Sequence, residues 1–259
     1  MRLALCVTLA ASLLASASVT TAQESKQPFD EQLLKNLIND DLETGLEDGR
    51  NFLDLKKYVG NFERVTVTDV QKAYSKNEIK GNKLYKGKNL LIIGTIDEIS
   101  QDAFGAPYLS FKYKQFVSPR AYFQKSELDS LADLDKGQTV YAFCKVGEYV
   151  MSSIVFKDCL LGSTVIKNKA YKEVYDTALK CMNEKCNNKD GLFLAMYTGL
   201  VNDNTTDKEK EILLSSKTSS KQFNAIVQNV MKKKDKPLPV RLAKLGWTKE
   251  ELQAFLNSK

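Results

Sequence analysis

Residues 86–161 constrain the fold of this 259-residue chain more than any other stretch. Alternating apolar and polar positions, broken by turn residues, predict five short strands there. They are Asn89–Ile99, Pro107–Tyr113, Phe116–Phe123, Gln138–Val146 and Ser152–Leu161, with a helix, Ser126–Leu134, between the third and the fourth. Leu91 and Ile93 share one face, Ile96 and Ile99 break the alternation, and Gly94 lies at the break. A glycine there fits the bulge or bend that the first strand of a small closed barrel needs. Gly105-Ala106-Pro107 and Lys136-Gly137 mark turns, and the last two strands form a hairpin about Glu148–Met151. Three strands, a helix and two more strands is the order of an OB barrel, an architecture used mostly for binding.

The N-terminus bears on compartment. Arg2 precedes an apolar run, Leu3–Leu14, and then the small-residue cleavage sites Ala15-Ser16-Ala17 or Thr20-Thr21-Ala22. The run is shorter than the roughly 20 residues that cross a bilayer, and no second apolar segment follows. Residues 1–22 therefore read as a signal peptide. The mature chain is expected to be exported, periplasmic or secreted, with no transmembrane segment. It keeps Cys144, Cys159, Cys181 and Cys186, and an oxidising compartment permits disulfides among them. Cys181 and Cys186 are close enough in sequence to staple a small loop at a helix end. A hairpin about Glu148–Met151 pairs Cys144 near Val155 and leaves Cys159 about 13 Å away, too far for a bridge. Those two cysteines are expected to be small buried hydrophobes.

The expected organisation is a helical or irregular N-terminal segment (residues 23–66), an OB-fold domain (67–162) and an α-helical domain (166–259). Phe29, Leu33, Leu34 and Leu37 recur at helical spacing, and Thr68–Ser75 reads as a helix capped by Thr68 or Asp69. In the last segment Tyr171, Val174, Tyr175, Ala178 and Met182 share a helix face, as do Phe223, Ile226, Val227, Val230 and Met231. Thr206–Glu209, Ser219–Gln222 and Thr248–Glu251 have capping-box spacing. Four or five helices with their own small core are expected, Trp247 among the core residues. The fold class is thus α+β, a five-stranded barrel followed by helices. Formal charge is −4 over residues 23–66, +2 over 67–165 and +7 over 166–259. A basic tail behind an acidic head points to an anionic partner or to attraction between the two ends.

With those residues in view, the middle of the chain resembles the exported OB-fold family named for its likeness to the tRNA anticodon-binding domain (tRNA_anti-like). The likeness rests on Val70–Ser75, Asn77-Glu78, Tyr85-Lys86-Gly87-Lys88, Leu91–Ile96, Leu131–Gly137 and Phe156–Cys159, within residues 67–161. It implies an OB fold and export, and it supplies no catalytic residues.

The chain contains no histidine, which excludes histidine acid–base catalysis, Ser-His-Asp and Cys-His pairs, and zinc sites with histidine ligands. No phosphate-binding glycine loop, nucleophile elbow or paired-cysteine metal site is present in the sequence, and neither a cofactor nor a metal is expected. An OB barrel usually binds on its second and third strands, where this chain carries Tyr108, Lys112, Lys114, Arg120 and Tyr122. Rings interleaved with cations suit stacking beside an anionic group. The expected function is non-catalytic binding of an anionic or aromatic ligand, or of an envelope protein partner; nucleic acid is not favoured for an exported chain. Two alternatives are a protein–protein module acting through the helical domain and, less favoured, a secreted nuclease using Asp97, Glu98 and Asp102 around a cation.

Overall fold

The computed structural model describes residues 29–257 except 48, 50–52, 115, 216–219 and 233–236. The expected signal peptide, Ser219 of the Ser219–Gln222 box and residues 233–236 of the Lys232–Lys236 run lie outside the described residues. Six strands form one sheet: β1 Glu63–Thr66, β2 Asn89–Gln101, β3 Pro107–Phe111, β4 Arg120–Phe123, β5 Thr139–Val150 and β6 Ser153–Leu161. β2 pairs antiparallel with β3, β3 with β4, and β5 with β6, while β4 runs parallel to β6. Pairing of β2 with β5 closes β2–β6 into a five-stranded OB barrel. β1 lies alongside the first half of β2 as a parallel strand.

β2 serves two neighbours because it bends. Residues 89–95 pair with β5 and residues 96–101 with β3, with a register shift at Asp97. Leu90, Ile92 and Ile96 point into the barrel with Leu109, Phe111, Ala121, Ala142, Ile154 and Phe156, whereas Leu91 points out into a different core. Helix α3, Val67–Lys76, covers the barrel with Val67, Val70 and Tyr74. Its cap is Thr66, just before the expected Thr68 or Asp69: the Thr66 hydroxyl accepts from the Asp69 amide and donates to the Asp69 carboxylate. Helix α4, Glu78–Tyr85, follows. A 3₁₀ turn, Lys125–Glu127, and α5, Leu128–Ala132, fill the place of the predicted helix between β4 and β5.

Cys144 and Cys159 form a disulfide with Cα atoms 4.3 Å apart, which corrects the expectation that they are separate buried residues. The hairpin turns at Met151-Ser152, further along than Glu148–Met151. Two bulges then oppose each other: Gly147-Glu148 on β5 faces Val155, and Asp158-Cys159 on β6 faces Cys144. The two bulges offset each other, so the turn alone sets the register beyond them: with the turn at Met151-Ser152 and not about Glu148–Met151, Cys144 falls opposite Cys159 in place of Val155. Cys181 and Cys186 form a second disulfide.

Helices α1 Phe29–Glu47 and α2 Leu55–Val59 precede the barrel. After it, α6 Gly162–Val165, a π-helical segment Ile166–Tyr171 and α7 Lys172–Asn183 form one helical run. Then come α8 Lys189–Asn204, α9 Asp207–Leu214, α10 Ser220–Met231, α11 Val240–Lys244 and α12 Lys249–Asn257. Buried Glu127 joins the two halves, accepting from the Leu161 amide and the Thr164 hydroxyl where the long run begins. Capping boxes form at Thr206–Glu209 and Thr248–Glu251.

The helical half does not close on itself. α1 inserts Leu34, Ile38, Leu42 and Leu46 among Ala170, Val174, Ala178, Leu192 and Trp247, and Leu91 reaches this cluster from the outer wall of the barrel. Leu33 and Leu37, on the flank of the same helix, pack with Leu200, Leu213, Phe223, Val227 and Val230. Trp247 is a core residue, its ring 6.0 Å from that of Phe255.

Candidate ligand-binding face

The outer wall of β3 and β4 carries the candidate site. Alternation sends Leu109, Phe111, Ala121 and Phe123 inward and leaves Tyr108, Arg120 and Tyr122 outside. Tyr108 stands directly opposite Tyr122 in the β3–β4 register, with ring centroids 5.4 Å apart. The Arg120 guanidinium lies 5.3 Å from the Tyr108 centroid, a cation held over an aromatic face. The three side chains therefore form one continuous surface: two rings with a fixed positive charge beside them.

Arg120 and Tyr122 also enter a groove of about 480 Å³, completed by Phe116, Ser118, Val150, Met151, Ser153 and Val155. Val155 joins because β6 runs parallel to β4 and places it next to Arg120. Phe116, expected at the start of a strand, sits in the loop before β4. Val150 and Met151 border the groove because the hairpin turns where it does. Their part in the site was hidden by the misplaced turn, and Phe116's by the extra strand length assigned to residues 116–119.

The other two predicted residues stand apart from this group. Lys112 follows β3, its amide donating to the Thr95 carbonyl, and its ammonium lies beside Gly137 in the turn before β5. Lys114 bridges to Val117 within the β3–β4 loop, with its ammonium 5.8 Å from the Tyr113 centroid. Both flank the face as exposed cations, and neither lines the groove.

The acidic residues considered for a cation do not form a cluster. The Asp102 carboxylate accepts from the Phe104 and Ala106 amides and shapes the β2–β3 turn. Asp97 and Glu98 are exposed at the β2 bulge. Among the described residues, no group of three or more Cys, Asp or Glu side chains is placed to hold a metal ion. No helix among them is long and apolar enough to cross a membrane.

Comparison with curated proteins finds no match. The family model tRNA_anti-like matches residues 1–160, reaching further toward the N-terminus than the likeness over residues 67–161 and leaving the helices after β6 outside it. A match over more than half of the chain, which takes in the OB barrel, places this protein in the tRNA_anti-like family.

Proposed function

We propose that this protein is an exported, non-catalytic binding protein whose OB barrel takes a ligand with an anionic group beside a flat or aromatic body. The observation that carries this reading is the Tyr108–Tyr122 pair with Arg120 stacked against it at the edge of the groove. Rings offer a stacking platform of about 1–3 kcal/mol per stacked group, and a guanidinium offers paired donors to a carboxylate, sulfate or phosphate. Export is supported by the composition of residues 1–22 and by two disulfides, which persist in oxidising compartments. Sulfated glycan fragments and short oligonucleotides, both anionic, are the probes to titrate while backbone shifts are followed by NMR. Shifts should centre on Tyr108, Arg120 and Tyr122, and Arg120→Ala should weaken binding about tenfold or more. Shifts confined to other surfaces would overturn the assignment.

A second reading, docking of an envelope protein partner through the helices, is favoured by an apolar cavity of about 280 Å³ lined by Met196, Leu200, Met231, Leu238, Leu252 and Leu256. Truncation after Val165 does not test it, because that would strip the cover from Leu34, Leu42 and Leu91. Leu256→Lys at the cavity does: partner capture should fall while the shifts at Tyr122 persist.

A further inference from the structure

We propose that the two loop tips bearing Phe116 and Met151 are a membrane-contact site that seats the barrel on an anionic phospholipid surface. Phe116 is 94% exposed and Met151 93%, with Val150 beside them at 47%. Single exposed apolar residues are ordinary on a protein surface, and Phe104 and Ile79 are such cases here. Phe116, Val150 and Met151 differ in that all three border one groove from two neighbouring loops.

The backbone holds them outward in an uncommon conformation. Among the described residues, the non-glycine positions of positive φ are Phe116 (64°), Met151 (48°), Ser152 (65°) and Asp158 (54°). A two-residue hairpin turn with both φ positive is normally made by Asn-Gly or a similar pair. Met-Ser makes it here, and the methionine points into solvent. The turn is fastened from below by fully buried Gln71, which donates to the Ser152 carbonyl at 2.8 Å and accepts from the Ile154 amide at 2.8 Å. The two loops are tied to each other where the Ser118 amide donates to the Ser153 hydroxyl at 3.2 Å. These bonds hold the Met151-Ser152 turn in place and tie it to the loop that bears Phe116.

Charge selects the partner. Residues 112–120 include Lys112, Lys114 and Arg120 and no carboxylate, and the hairpin residues 145–157 include Lys145 and Lys157 against one exposed carboxylate, Glu148. Apolar side chains that enter the headgroup layer while neighbouring cations meet anionic lipid are the recipe for peripheral membrane binding. Two narrow tips on either side of a groove lack the continuous area of about 800 Å² per partner that a stable protein interface buries. This contact uses the loop tips at the rim of the groove, whereas Tyr108 of the ring platform lies outside the groove lining.

Flotation of the mature chain with phosphatidylglycerol-containing vesicles and with pure phosphatidylcholine vesicles tests the proposal. The protein should float with the anionic vesicles, weakly or not at all with the neutral ones, and less as salt rises. Phe116→Ser with Met151→Ser should reduce the partition at least about tenfold, as should Lys112→Glu with Lys114→Glu. All four positions are exposed, so the melting temperature should hold. Tyr108→Ala, on the ring platform but outside the groove, should weaken the soluble-probe shifts and leave flotation unchanged, so the ligand face and the membrane contact can fail independently. Three results would overturn the proposal: no flotation with anionic vesicles, equal flotation of the Ser pair, or a dimer in sedimentation equilibrium that the Ser pair dissolves. The last would assign the tips to a second copy of this chain.

Discussion

Gly94 stands where the barrel has no room for a side chain. A Cβ built there lies 2.4 Å from Cδ1 and 2.8 Å from Cε1 of Phe111, and 3.0 Å from Cγ2 of Val67. The Phe111 ring is buried at the centre of the barrel and cannot swing away without opening a void elsewhere. Gly94→Ala is therefore expected to cost about 1–3 kcal/mol, the range for overpacking a filled core, read as a lower urea midpoint with an unchanged slope. A midpoint equal to that of the parent chain would show that the ring has space to move. The break in alternation around Gly94 was visible in the sequence and indicated the bend in β2. That Phe111 fills the space above it was not visible, since packing across the barrel depends on the β2–β3 register. Tyr108, Arg120 and Tyr122 followed from the strands with which an OB barrel usually binds. Lys112 and Lys114 did not join them because β3 ends at Phe111, and regular alternation stops there.

The β5–β6 hairpin carries one disulfide, and the α7–α8 connection carries the other. Cys144–Cys159 closes a loop over a sequence separation of 15, against 5 for Cys181–Cys186. If the linkage acts by limiting the unfolded chain, the hairpin bridge contributes about 3 kcal/mol and the smaller loop about 2. Replacing Cys144 and Cys159 together by serine should lower stability more than replacing Cys181 and Cys186, with both pairs compared by chemical denaturation. The reverse order would place the main role of Cys181–Cys186 in the native state. The spacing of the second pair was legible because a short loop leaves few geometries, whereas the first depended on where the β5–β6 hairpin turns. Helix α1 holds a different kind of element-level constraint. Asp40 accepts from the Asn224 side chain of α10 at 3.2 Å. Burial, together with Glu43, Asp41 and Glu47 on its own helix, pushes its carboxyl from 3.8 up to about 6 despite that hydrogen bond. The folded state thus keeps a proton that the unfolded chain releases, so Asp40 weakens the fold as pH rises from about 4 to about 6 and by a constant amount above that. Asp40→Asn keeps the hydrogen-bonding partner and removes the charge. Its stability gain should be near zero below pH of about 4, grow through that window and level off at about 1–2 kcal/mol, as suits a half-exposed carboxylate. A gain that stays the same down to low pH would rule out titration of Asp40 as its source.

Across the whole molecule, the acidic head and the basic tail meet through α1. Arg241 on α11 donates to Asp30 at 2.9 Å, to the Met182 carbonyl at 2.6 Å and to Asn183 at 2.6 Å, joining the start of α1 to the end of α7. At the other end of α1, Arg64 of β1 donates to the Leu46 and Glu47 carbonyls and lies 5.7 Å from the ring of Tyr141 on β5. The helical cluster then takes Leu91 and the outward faces of Tyr141 and Phe143 from the barrel wall. The stripe on α1 was readable as a helix, but which partners it would find was not, because its Leu pairs face two separate helical groups and nothing local orders them. We infer from this packing that the barrel and the helices unfold as one cooperative unit, although sequence composition divides them near residue 162. Leu42 is fully buried in the helical cluster that Leu91 of the barrel joins, and Leu42→Ala should cost about 2–5 kcal/mol. Trp247, the single tryptophan, reports the helices by fluorescence. Amide hydrogen exchange at β3 and β4 reports the barrel far from α1. If the halves are coupled, Leu42→Ala moves the Trp247 transition and speeds global-limit exchange in β3 and β4 by the same free energy. Exchange in β3 and β4 that ignores Leu42→Ala would instead make the barrel an independent domain with the helices leaning on it.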